Sequence, residues 1–210
     1  MPNDTRARMI EATVEALQRR GVAGMSFTEV LAASGGARGA IYHHFPGGKT
    51  QIVAEAATRN GQDVRAHLGA LPTDSPLAVV QAFLAAIRPV VQASASGGGC
   101  AVAAITVHVG ADADNDALLQ VAADAFVSWA DTLAERLTTA GLTPDEAADL
   151  AAMLIAMLEG AHVTCRAAGT IQPFDHAARA AALLTESRYP NRLAGSGPET
   201  SQVGAGMPKA

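Results

Sequence analysis

The sequence predicts an all-α protein with a small N-terminal helical head and a larger helical body. Three observations carry this. Apolar residues recur at helical spacing through most of the chain, as in Ile10, Val14 and Leu17 or Leu118, Val121, Ala125, Trp129, Leu133 and Leu137. The composition is 49% hydrophobic but only 4% aromatic and rich in alanine, which suits closely packed helices. Finally, no run of alternating apolar and polar residues finds a partner strand. The domains expected are a head over 1–48, a body over 49–188 and a disordered tail over 189–210, where Gly, Pro, Ser and Thr accumulate.

Each element has its own local reason. The first helix is expected over 4–20, with Asp4 as N-cap, Gly21 as stop, and Arg19 and Arg20 in the last turn where the helix dipole favours cations. Ser26 and Glu29 form an S-x-x-E capping box before a second short helix, which Gly35 and Gly36 end. A third runs from about Ala37 to His44 and is broken by Pro46-Gly47-Gly48. A fourth starts near Lys49 and reaches toward Leu68. The fifth covers roughly 75–94, with Pro89 expected to kink or end it. Residues 100–110 read as helix because no strand partner exists, although periodicity alone does not decide. Helices over about 116–140 and 144–168 follow, and Asp175 is expected to cap a last one ending near Ser187.

Bulk properties narrow the function. The N-terminus is polar and the longest apolar stretches carry charges or histidine, so neither a signal peptide nor a membrane span is expected, and the cytoplasm is the expected compartment. Cys100 and Cys165 are too few for a disulfide framework. Net charge is −5, but it is unevenly spread. Residues 1–68 hold eight bases against six acids, giving +2, and the remainder holds seven against fourteen, giving −7. A mildly basic head on an acidic body points to separate tasks.

The head carries the most informative motif. Ile41 and Phe45, four residues apart, point inward with Val30 and Ile10. That leaves Arg38, Ala40, Tyr42 and His43 on the other face. Gly36 and Gly39 let backbone approach closely, and the helix start at Gly48-Lys49 offers free amides and an ammonium to a phosphate. Three short helices with a glycine turn between the second and third make a helix-turn-helix bundle whose last helix fits a major groove.

The stretch "SFTEVLAASGGARGAIYHHFPGGKTQIV" resembles the DNA-binding signature of TetR-type transcriptional repressors. "GGGCAVAAITV", "AFVSWADTLAERLTTAG" and "LEGAHVTCRAAG" resemble the LmrA/YxaF-like branch, so the likeness spans most of residues 4–187. It implies an all-helical homodimer on a double-stranded, pseudo-palindromic operator, released by a small, mostly apolar effector. It further implies that Arg38 and Tyr42 contact DNA with His43 beside them, that Lys49 and Thr28 meet phosphate, and that Ala40 offers a thymine-methyl contact. The sequence departs from the family pattern at Gly36 and Ala37, where valine and serine are usual.

The body raises three further expectations. Phe83, Ile87, Val91, Ile105, His108, Phe126, Trp129, Met153, Met157 and His162 are candidates to line an effector pocket, with Trp129 as a wall. Small residues over about 145–187 suit close helix approach in a dimer. An alternative reading makes Cys100, His108, His162 and Cys165 a metal or redox sensor, since His162 and Cys165 share one helical face. No cofactor is expected. Catalysis is not expected either, because GxSxG, Walker, HExxH and paired CxxC patterns are absent. Asp112, Asp114 and Asp116 lack the glycine and terminal Glu of a calcium loop.

Overall fold

The computed structural model describes residues 2–107 and 113–190. Within them every regular element is a helix: α1 (Pro2–Gly24), α2 (Phe27–Ser34), α3 (Ala40–His44), α4 (Gly48–Gly69), α5 (Pro76–Ser94), α6 (Ala101–Thr106), α7 (Ala113–Thr139), α8 (Pro144–Ala168) and α9 (Gln172–Arg188). His108 and residues 191–210 lie outside the described residues, so the expectations placed on them find no counterpart in the structure.

The head is α1 to α3, closed by the start of α4. Ser26 Oγ accepts from Glu29 N–H at 3.2 Å, and Gly35 ends α2 in the left-handed conformation at φ 68°. Met9, Leu17, Val30, Ile41 and Phe45 are buried together beneath α3, while Ile10 is half-buried. Gly36, where the sequence departs from the resembled pattern, lies close against Met9. A Cβ there would come within 2.5 Å of Met9 Cε and 3.1 Å of Leu31 Cδ2, so a larger residue would require the flexible tip of Met9 to move aside.

α4 leaves the head and packs on α1 at one end and α7 at the other. Around it the body is a layered bundle in which α7 packs on α8, and α9 packs on both α5 and α8. Trp129, 1% exposed, donates its Nε1–H to Gly61 O at 2.8 Å, and Gly61 lies so close to α7 that a Cβ would meet Ala125 Cβ at 3.2 Å. A complete capping box of Thr143 and Glu146 opens α8, and Gly169 at φ 64° closes it. α5 and α8 have the length and apolarity of membrane spans, yet each carries a buried core face, such as Val80, Phe83 and Ile87 on α5.

Several boundaries differ from expectation. α1 begins at Pro2, so Asp4 lies within it. Gly21 (φ 65°, ψ −176°) breaks its axis, but helical turns resume to Gly24. α3 spans only Ala40–His44 rather than starting at Ala37. α5 runs through Pro89 to Ser94, since one missing N–H is outweighed by the buried Ile87 and Val91 on either side. α6 stops at Thr106. α9 starts at Gln172 because Pro173 presets its first turn. Asp175 therefore does not cap it and instead accepts from Arg88 at 3.3 Å.

Replacing Trp129 with Phe keeps most of the ring's volume and leaves Gly61 O without its donor. The expected loss is about 1–3 kcal/mol of stability, read by urea denaturation. An unchanged midpoint would mean that the indole bond does not tie α4 to α7.

Candidate functional site

α3 is a single turn and a half, and its inner face is fixed by Ile41 and Phe45, both at most 1% exposed. Tyr42 is thereby turned outward, 64% exposed, and its ring meets Phe27 edge-on at 5.8 Å. His43, Arg38 and, on α2, Thr28 are exposed as well. Ala40 is half-buried at the start of α3, and Lys49 is half-buried in the first turn of α4. His44 is half-buried, between His43 and Phe45. Phe45 is held from above by Arg6, whose guanidinium lies 5.0 Å from the ring centroid and pairs with Glu55 of α4. Gln51 links the same carboxylate to Gly47 N–H, so the turn into α4 is tied to the helix that follows it.

The expected pocket residues behave differently. Phe83, Ile87, Val91, Ile105 and Trp129 are packed into the core, and Phe126 stands edge-on to Trp129 at 5.2 Å. Met153 and Met157 are half-buried on α8. Two clefts lie elsewhere. One, about 590 Å³, is enclosed by the end of α1 (Leu17–Ala23), by Cys100, Ala103, Ala104 and Val107, and by Glu159, His162, Val163, Arg166 and Ala167 of α8. A second, about 390 Å³, lies between α7 and α8 at Phe126 and Ile155 and also reaches Glu159. Of the expected lining, among the described residues, His162 meets the first of these clefts and Phe126 the second. The Glu159 signal was present in the sequence: a lone carboxylate amid Leu, Ala and Met, seven residues before Arg166 on one face of the helix.

The cysteine–histidine grouping does not assemble among the described residues, where no cluster of three or more potential metal ligands occurs. His162 Nδ1 is hydrogen-bonded to Ser94 Oγ at 2.6 Å, and Cys165 is fully buried. Burial, and then the neighbouring Glu159, push the Cys100 thiol well above its ordinary range, which suppresses the reactive thiolate.

Comparison with known proteins fits this geometry. Residues 9–56 match the tetR family of bacterial regulatory proteins, and residues 76–180 match the C-terminal domain of LmrA/YxaF-like transcriptional regulators. An HTH-type transcriptional regulator of Mycobacterium tuberculosis is 31% identical over 89% of this chain and 97% of its own. The chain belongs to the TetR family of transcriptional regulators. Its fold is shared with a TetR regulator from Chloroflexus aurantiacus (TM-score 0.71, 23% identity, 90% of this chain and 96% of that one). It is shared too with a cysteine mutant of the TetR-family regulator CifR, solved with 26-base-pair operator DNA (TM-score 0.63, 19% identity, 83% and 94%). As a TetR-family member the chain is a DNA-binding regulator and not an enzyme.

In this TetR-family chain, Glu159 and His162 carry opposite pH signatures. Desolvation raises the Glu159 carboxyl from 4.5 to about 7, against a smaller opposing effect of the Cys100 thiol. Across that window the folded chain keeps a proton that the unfolded chain has released, so stability falls as pH rises from about 4.5 to about 7. Desolvation, and then Arg166, lower His162 from 6.5 to about 4. Here the unfolded chain gains a proton that the folded chain refuses, so stability falls as pH drops through that range. Glu159→Gln removes the first effect only. Its thermal midpoint is expected to gain on the parent's between pH 4.5 and pH 8 by a few degrees. A difference that stays constant with pH would place the carboxyl in water.

Proposed function

We propose that the chain acts as a dimeric, ligand-responsive repressor that places two α3 helices in successive major grooves of a pseudo-palindromic operator. The observation that carries this is the division of α3. Ile41 and Phe45 are buried, while Tyr42 and His43 stand outward beside Arg38 and the start of α4. In this reading residues 1–48 form the DNA-binding head and 49–188 the sensing and dimerising body. Tyr42, His43, Lys49 and Thr28 hold phosphates and set the register; Arg38 meets a guanine edge or a phosphate, and Ala40 a thymine methyl. With so few donors in α3, part of the specificity rests on DNA shape. The operator complex of the CifR cysteine mutant supports the reading by analogy of fold. Such a regulator works in the cytoplasm.

For the dimer, support comes from α8 and α9. Ala148, Ala152, Ala156 and Gly160 repeat every four residues along α8 and are exposed, and Val163 continues the stripe at 69% exposure. On α9, Leu183 and Leu184 are 65% and 52% exposed. Paired across a two-fold axis, these faces form a four-helix interface in which small side chains permit close approach. A bound effector that prefers one arrangement of the body shifts α1 and α4 and with them the spacing of the heads, by no more than its differential affinity allows.

DNA from the protein's own promoter region, titrated at several salt concentrations, tests this. The double variant Tyr42→Ala, Lys49→Ala stays folded and loses on the order of tenfold or more in affinity. Its salt dependence becomes shallower by about one unit of log–log slope for the lysine. A variant that binds like the parent would show that α3 and the α4 start are not the DNA face.

A further inference from the structure

We propose that the cleft between α1, α6 and α8 is a binding site for a hydrophobic cation, an apolar body carrying an ammonium group, with Glu159 as its counter-charge. The proposal rests on the ligand-responsive reading above and names the site and the ligand class.

Three observations lead to it. First, the walls are mostly apolar: Leu17, Val22, Ala103, Ala104, Val107 and Val163. At about 590 Å³ the cleft has the volume of a small-molecule site. Second, the Cys100 thiol engages the Glu159 carboxyl, but its Oε1 is shielded from solvent and has no hydrogen-bond partner among the described residues. A buried carboxylate oxygen without a partner is costly, and a charge-assisted bond from an ammonium is the strongest available compensation. Desolvation of this carboxyl points the same way.

Third, the other charges around the cleft are already committed. Arg166 lies about 10 Å along α8 from Glu159, and it donates to Gly98 O and Gln18 O, closing that end as a strut between α8 and α1. On α1, Arg20 pairs with Glu29 at 3.4 Å and Arg19 approaches Glu15 at 3.9 Å; both arginines are more than half exposed, so water and salt screen them. His162 is bonded to Ser94 and held neutral, and the Cys100 thiol is held protonated. An anion would meet Glu159 with no free cation beside it. A neutral donor would satisfy the oxygen with a weaker bond.

The position also gives the site a route to the head. One wall is the last two turns of α1 on either side of the Gly21 break, and α1 is the helix on which α2 is packed. A ligand wedged between α1 and α8 therefore acts on the head through the helix that supports it.

The test is equilibrium binding of dansylcadaverine, a fluorescent primary ammonium, and of its uncharged N-acetyl analogue, to the full chain without DNA. The expected result is a saturable rise in emission for the cation and binding at least tenfold weaker for the analogue. Glu159→Gln should lower the cation's affinity at least tenfold and leave the analogue unchanged. Ala23→Trp, at an exposed position on the cleft wall, should weaken both and guards against misfolding of the first variant, with circular dichroism as the check on each. Equal affinity of the two probes, unchanged cation affinity in Glu159→Gln, or no saturable binding to the parent overturns the proposal. Release of promoter DNA is measured separately. Cation binding that leaves DNA affinity unchanged sinks the release reading alone, while an effector that releases DNA equally from Glu159→Gln sinks the cation site alone.

Discussion

A helix of five residues does not hold together in water, because nucleating the first turn costs more than its one or two hydrogen bonds return. The chain places Tyr42 and His43, two of the side chains proposed to meet DNA, on such a helix. Everything outward on α3 therefore depends on what lies beneath it. Ile41 and Phe45 are buried in the core that also holds Val30 and Met9, and Arg6 covers the Phe45 ring while tied to Glu55. The backbone turn after it is fixed by Phe45 N–H to Ile41 O at 2.7 Å and Gly48 N–H to Phe45 O at 2.9 Å. Tyr42 is oriented by its edge contact with Phe27, so α2 sets the direction of a residue on α3.

The same helices that build this support also belong to the body. α1 packs on α2, α4 and α6, and α4 packs on α1, α6 and α7. Trp129 fastens α7 to α4 at Gly61, and Arg166 fastens α8 to the end of α1 at Gln18. Head and body thus share contacts at Arg166–Gln18 and at Arg6–Glu55, while the Trp129 bond secures α4 within the body. A change in the Arg166 contact between α8 and α1 reaches α2 through one helix, without a separate relay. The break at Gly21 lies between the Arg166 contact and the end of α1, where a small rotation of the last turns is cheapest.

Much of this was legible in the sequence because it rests on local chemistry. Ser26 and Gly35 specify the ends of α2, and the Ile41–Phe45 spacing specifies which side of α3 is buried. The placement of the cleft between α1, α6 and α8 was not legible, for a physical reason. Helical periodicity marks residues that are buried, and Phe83, Ile87, Val91 and Trp129 are buried because they fill the core. A cavity is where packing stops, at the meeting of three helices far apart in sequence, and no periodicity encodes that. Asp175 shows a similar limit. Its residue type suits a cap, but Pro173 starts the helix earlier and frees the carboxylate to hold Arg88.

The central claim is that α3 is held in shape by its buried face and not by itself. Amide hydrogen exchange across Ala40–His44, compared between the parent chain and Phe45→Ala, addresses it directly. The account predicts protection of these amides in the parent, collapse of that protection in the variant, and intact protection in α7 and α8. Equal protection of Ala40–His44 in the two proteins, with Phe45 removed, would contradict it.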